Sequence, residues 1–254
     1  MEWGFDHVLI AIAGAFIAGM INALAGNGSV ITLTVLTELI GLPGVIANGT
    51  NRVGVLMNAF GAMAGFHKKR DMRYRDHLQY ILPVVGGALG GIYVATIVTS
   101  DQFMWVFKGL MVVMLIVIIV NPERWLIAHA KKSLWPRWVE WPAMLVLGFY
   151  GGFIQMGMGV FYLAVLVLAA RLPLIESNTI KAISVGAFTL IAVIIFAFNG
   201  LIIWSIGLIM GTAQFFGGWI AAHYASKIPG ASKWAYYVLI VAVSLSVLKL
   251  FDVF

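Results

Sequence analysis

The sequence predicts an all-α polytopic membrane protein. It has two homologous halves, arranged as inverted repeats, with interrupted or hairpin helices in each half and about 8–10 membrane segments. Three observations lead there. The 254 residues are 62% hydrophobic and 10% charged, with a mean hydropathy of +0.99; soluble domains carry about 25% charged residues, so lipid must be the solvent. The apolar spans are continuous and lack the alternation of barrel strands, and a backbone in lipid must satisfy its own polar groups. Finally, one motif occurs twice, each time inside apolar surroundings.

The first copy runs from Gly26-Asn27-Gly28-Ser29 through Leu42-Pro43 to Ala47-Asn48-Gly49-Thr50-Asn51-Arg52. The second runs from Gly157-Met158-Gly159 through Leu172-Pro173 to Ser177-Asn178-Thr179-Ile180-Lys181. They align without a gap at an offset of 130 residues, with Val30/Val160, Leu33/Leu163, Pro43/Pro173, Asn48/Asn178 and Val55/Val185 identical. Paired interruptions in the two halves of a membrane protein point to a transporter's binding site.

The first half occupies residues 7–121. His7 to Ile40 would reach about 50 Å as one straight helix, too long for a hydrocarbon core of about 30 Å. The break at Ala25 to Ser29 must therefore fold it into a hairpin or unwind it near mid-membrane. Gly41-Leu42-Pro43-Gly44 ends the short piece, and Val45 to Phe66 follows with a polar start. A basic loop at 67–77 leads to a hairpin of two spans, Tyr80 to Val98 and Phe103 to Val120. Residues 122–142 form a linker in which cations alternate with Trp, as suits a segment at the headgroup level. The second half, 143–252, repeats the plan. Gly90-Gly91 and Gly217-Gly218 fall at equivalent places, where small residues let helices approach closely.

Loop charges choose between orientations. If each break is a hairpin turn, the halves are inverted, and the cations at 68–75, the linker, Arg171, Lys227 and Lys233 share one side. The positive-inside rule favours that arrangement. The net charge of +6 is thus explained without nucleic acid as a partner. With no cysteine there is no thiol chemistry. The five histidines sit near segment ends without metal-ligand spacing, so no metal or other cofactor is expected. No histidine lies in an apolar span to activate Ser29, which argues against a hydrolase and leaves no catalytic residue to name.

The stretches Gly26-Asn27-Gly28-Ser29-Val30-Ile31-Thr32-Leu33, Gly41-Leu42-Pro43, Ala47 to Val53, Gly148 to Gln155, Gly157-Met158-Gly159 and Asn178 to Ala182 resemble the two signatures of the TauE/SafE family of bacterial sulfite exporters. The resemblance covers essentially the whole chain. It implies a secondary transporter, not an enzyme, exporting a small anion such as sulfite or an organosulfonate across the bacterial cytoplasmic (inner) membrane. An anion channel and a non-transport assembly or lipid-binding protein are the alternatives. Lipids are the surrounding partners, and a homodimer is left open. One departure is Asn27, where the family pattern expects glycine; Asn tolerates left-handed backbone better than most residues.

The residues themselves agree with an anion. Arg52 and Lys181 each lie about one turn into a span, and a mid-membrane cation costs about 2.5–3.5 kcal/mol on insertion scales. Facing a shared cavity, the two would neutralise a bound anion; otherwise they snorkel or pair with Glu38 or Glu176. Asn22, Gly28, Ser29, Asn48, Thr50, Asn51, Gln155, Gly157, Gly159, Asn178 and Thr179 are expected to complete the substrate-binding lining. Glu38 is the candidate for proton coupling.

Overall fold

The computed structural model describes residues 5–67, 77–120 and 136–224, together with residues 237, 240, 241, 243–245, 247 and 248. Among these residues every regular element is helical and there is no strand. The basic loop, the linker up to residue 135, Lys227, Lys233 and most of the expected last span lie outside the described residues. Leu78–Ile97, Leu174–Phe198 and Trp204–Tyr224 are long and apolar enough to cross a membrane.

In chain order, α1 is Phe5–Leu24, α2 is Gly28–Thr34 and α3 is Gly44–His67; a π-helical turn, Val35–Leu39, continues α2. Then come α4, Leu78–Ile97, and α5, Ser100–Val120. The second half begins with α6, Arg137–Phe153, and α7, Met158–Ala164, which continues into a π-helical turn at Val165–Ala169. It goes on through α8, Leu174–Phe198, and α9, Trp204–Tyr224. Helix α6 starts inside the stretch expected as linker, because Pro136, in extended conformation at its N-cap, opens the helix there.

The sequence offset of 130 residues reappears in the backbone. Helices α2 and α7 start at Gly28 and Met158, the π turns at Val35 and Val165, and α3 and α8 at Gly44 and Leu174. The hydrogen bonds recur as well. The Leu42 amide donates to the Leu36 carbonyl at 2.9 Å, as Leu172 does to Leu166 at 2.9 Å. The Ala47 amide donates to Pro43 and the Ser177 amide to Pro173, both at 2.8 Å. Where Gly41 turns the chain with φ +73°, its counterpart Arg171 does so with φ +61°.

The long stretch from His7 to Ile40 resolves as a hairpin. A Cβ on Gly28 would lie 2.0 Å from the Ala18 carbonyl oxygen, and Gly14 faces Ile31 and Val35. The returning piece therefore runs antiparallel to α1. Its 28–39 span covers about 18 Å, little more than half of the hydrocarbon core.

Packing fixes the directions of the other helices. Ala11 and Ala15 cluster with Ala47, and Ala23 with Ala62 and Phe66, so α1 runs with α3. Gly49 meets Phe196 and Gly186 meets Ala59, so α8 runs against α3. Val84 meets Gly148 and Ala88 meets Gly152, so α6 runs with α4. Thus α1 and α3 run from the Pro43 end of the molecule to the His77 end, while α6 and α8 run the other way. This is compatible with inverted halves. The halves also exchange neighbours: α1 packs on α9, and α6 on α4. The expected glycine pairs sit at those crossings. A Cβ on Gly91 would lie 1.9 Å from the Phe149 carbonyl oxygen, and one on Gly217 would lie 2.1 Å from that of Phe16.

Candidate functional site

The two helix breaks meet at the centre. Gly26 takes φ +84°, and a Cβ on it would lie 2.5 Å from the Gly159 carbonyl carbon. A Cβ on Gly159 would lie 2.5 Å from the Gly26 carbonyl oxygen. Backbone therefore touches backbone, and only glycine fits on either side. The left-handed turn falls on Gly26, not on Asn27, whose φ is −127°. That is why Asn is tolerated where the family pattern expects glycine.

A helix that stops inside a protein leaves its last carbonyls without partners and its negative dipole end exposed. Here each such end is capped by a cation from the opposite half. Arg52, on α3, caps α6: Nη1 donates to the Gly151 carbonyl at 2.8 Å, and Nη2 to those of Gly152 at 2.7 Å and Phe153 at 3.0 Å. Asn48, one turn earlier, adds a bond from Nδ2 to the Phe153 carbonyl at 2.9 Å. Lys181, on α8, caps α1: Nζ donates to the Asn22 carbonyl at 3.0 Å, the Ala23 carbonyl at 3.2 Å and Asn178 Oδ1 at 2.8 Å. Three acceptors match the three donors of an ammonium. The cations neither snorkel nor pair with an acid; Glu176 instead meets His77 at 3.2 Å. The register differs by one residue: the offset of 130 places Lys181 opposite Asn51, and Arg52 opposite Ala182.

Lys181 lines a cavity, whereas Arg52 is fully buried and is not part of that cavity's wall. This cavity, between the breaks and the His77 end, is lined by Asn22, Asn58, Gln155, Asn178 and Lys181, with Gly26 and Gly159 at its floor. The space open to the centre of a water molecule is ≈ 20 Å³, above the 10–15 Å³ or so that one ordered water needs. The cavity thus has one ammonium and four side-chain amides on its wall.

The remaining candidate residues scatter. Asn51 accepts from Thr32 Oγ1 at 2.6 Å, and Thr50 Oγ1 accepts from the Ile203 amide at 3.0 Å. Gly28 packs under α1, Ser29 is buried, Gly157 turns with φ +70°, and Thr179 Oγ1 donates to its own helix at the Ile175 carbonyl. Glu38 is half-buried on the first π turn, and neither it nor Arg52 lines the cavity. Asn58 is the residue that repeat reasoning passes over, because its counterpart is Phe188. Its Oδ1 accepts from Asn22 Nδ2 at 2.8 Å, and its Nδ2 donates to the carbonyls of Gly19 and Gln214 at 3.0 and 2.9 Å. The signal for it is a lone amide deep in an apolar span.

Comparison with known proteins bears on this architecture. The model of the family described as "Sulfite exporter TauE/SafE" matches residues 11–247. The chain belongs to this family. TauE/SafE is a family of membrane transporters, and its match takes in both breaks, both π turns and the cavity. A "Probable membrane transporter protein ORF9" of Sinorhizobium sp is 26% identical over 99% of this chain and 95% of its own length. A "Probable membrane transporter protein" of Haemophilus influenzae is 28% identical, over 87% of this chain and 86% of its own. The "Probable membrane transporter protein YfcA" of Escherichia coli K12 is 22% identical, over 80% and 75%. No solved structure matches the chain.

Proposed function

We propose that this chain is a secondary transporter, not an enzyme, that exports a small oxyanion across the bacterial inner membrane, with sulfite or an organosulfonate as the substrate. The observation that carries the reading is the placement of Lys181. It is a buried ammonium on the wall of a cavity, at the junction of two repeat-related helix breaks. A cation in the membrane interior is costly and marks a substrate or ion path. The amides of Asn22, Gln155 and Asn178, each with one N–H bonded within the protein and a second to spare, offer donors to the oxygens of an anion without adding charge.

The halves act as inverted repeats spanning the membrane several times, residues 7–121 and 143–252, joined by the linker at 122–142. The His77 end faces the cytoplasm, because the basic loop joins His67 to His77 there. The cavity then loads from the cytoplasm, as export requires. The chain has no Gly-x4-Gly-Lys phosphate-binding motif, so transport draws on ion or membrane gradients.

Purified protein should be stabilised thermally by its substrate anion, since a ligand that binds only the folded state adds RT ln(1 + [L]/Kd). A screen of sulfite, sulfonates, thiosulfate, sulfate and small carboxylates identifies the anion. Flux into proteoliposomes then tests transport. Flux that needs ATP, or that is confined to cations, would sink the reading. Flux with no saturation would turn it into a channel.

A further inference from the structure

The cavity lies on the His77 side of the breaks, and among the described residues the sequence places larger side chains at the counterpart positions on the Pro43 side. The offset of 130 carries Asn58 to Phe188 and Ala59 to Thr189, and brings Ala182 back to Arg52. At each of these positions the side of the Pro43 end has the larger residue, and all three are fully buried. Arg52 is the centre of this plug. Its guanidinium lies 5.8 Å from the Phe196 ring centroid and is held by the α6 carbonyls.

Gln155 belongs to both sides. Its side chain lines the cavity. Its Oε1 accepts from Arg52 Nη1 at 2.7 Å, and its Nε2 donates to Thr189 Oγ1 at 3.0 Å. Its backbone takes φ +63°, a left-handed conformation that a non-glycine residue holds only where its surroundings over-determine it. The residue is thus fixed in an unfavourable conformation with one face on the plug and the other on the open space.

From this geometry we infer that Gln155 is a positioning residue that ties the contents of the cavity to the plug at the Pro43 end. An anion entering from the His77 end meets the Gln155 amide. It takes the Nε2 donor away from Thr189, the amide turns, and Oε1 leaves Arg52. Arg52 then has one acceptor fewer, and the far side loosens. The inference rests on the transporter reading and deepens it, by naming the residue that links occupancy to opening.

The test uses the absence of native cysteine. Ala62 lines the cavity, and its counterpart Ala192 is fully buried one turn beyond Thr189 toward the Pro43 end. A single cysteine is placed at 62 or at 192, and its reaction with a charged, membrane-impermeant methanethiosulfonate is timed from each face of the membrane. In the otherwise unaltered chain, Ala62→Cys should react from the His77 face, and Ala192→Cys at least tenfold more slowly from either face. Adding Gln155→Ala should raise the Ala192→Cys rate at least tenfold from the Pro43 face alone. Thr189→Val, which removes only one partner of the amide, should raise it less and from the same face. Where Gln155→Ala does not give monodisperse protein, Thr189→Val decides. An unchanged rate at 192, or a rise from both faces together as a merely loosened fold would give, overturns the inference. The labelling needs no anion. A failure of anion binding would therefore count against the transport reading, and unchanged labelling beside intact binding would count against the role of Gln155.

Discussion

The ammonium of Lys181, on α8, lies 3.0 Å from the backbone carbonyl oxygen of Asn22, in the last turn of α1. It closes a helix of the other half while standing on the wall of the cavity. Two duties therefore fall on one charge. Lys181→Met should lower anion affinity at least tenfold and also lower stability, since each carbonyl left buried without a partner costs about 1–3 kcal/mol. Arg52→Gln should cost stability of the same order but change affinity less, because Arg52 does not line the cavity. Thermal melts and an anion titration on both variants check this. Equal affinity loss in the two would return Arg52 to the binding site.

Asn58 should prove as sensitive as either cation. Asn58→Asp puts carboxylate oxygens against the carbonyls of Gly19 and Gln214, where an amide donated before. It also places a negative charge on the cavity wall. Anion binding should be lost and the melting temperature should fall. Asn58→Leu should lower stability by a similar amount with a smaller effect on binding. The comparison separates charge from lost hydrogen bonds in one titration series.

The turn after each π segment offers a stability test of backbone conformation, and at Gly41 it is free of packing. A Cβ on Gly41 meets nothing within 4 Å, yet φ is +73°. Gly41→Ala should therefore cost about 1–2 kcal/mol for the left-handed conformation alone. Arg171, at φ +61°, already bears that penalty, so Arg171→Gly should stabilise by up to about the same amount. Denaturation midpoints in one detergent measure both. Opposite signs are expected.

Membrane orientation is read by labelling. Cysteines at residues 72 and 230 should react with an impermeant reagent from the same face, the cytoplasmic one, if the halves are inverted. Reaction from opposite faces would establish parallel halves instead.

Much of the fold is legible because helix breaks are written in letters. Gly26-Asn27-Gly28 and Gly157-Met158-Gly159 mark the turns, and Pro43 and Pro173 mark the starts of α3 and α8 to within a residue. Length alone demands a break between His7 and Ile40 but leaves a hairpin and an unwound helix both open; the packing of Gly28 against Ala18 and of Gly14 against Val35 decides for the hairpin. The site is less legible. Asn22, Gln155, Gly159, Asn178 and Lys181 do converge on one cavity. Most of what the cations touch, however, is main-chain carbonyl, beside one side-chain amide each, and a carbonyl has no letter of its own. Arg52 and Lys181 looked repeat-related because both follow an Asn that follows a Pro; the alignment sets them one residue apart, so each reaches its helix end from a different place on the turn. Asn58 escapes because it departs from the repeat, and a search built on likeness between halves passes over residues that differ.

The Gly26–Gly159 contact has a mechanical consequence. Where side chains separate two helices, they can slide by changing rotamers, and one substitution can compensate another. Between these two residues there is only main chain, so nothing there can be compressed or exchanged. Gly26→Ala and Gly159→Ala should each prevent assembly of the native packing, with no second-site change of size able to restore it. The contact therefore sets the closest approach of the two helix breaks: with main chain on both sides, no change of side chain can bring them nearer.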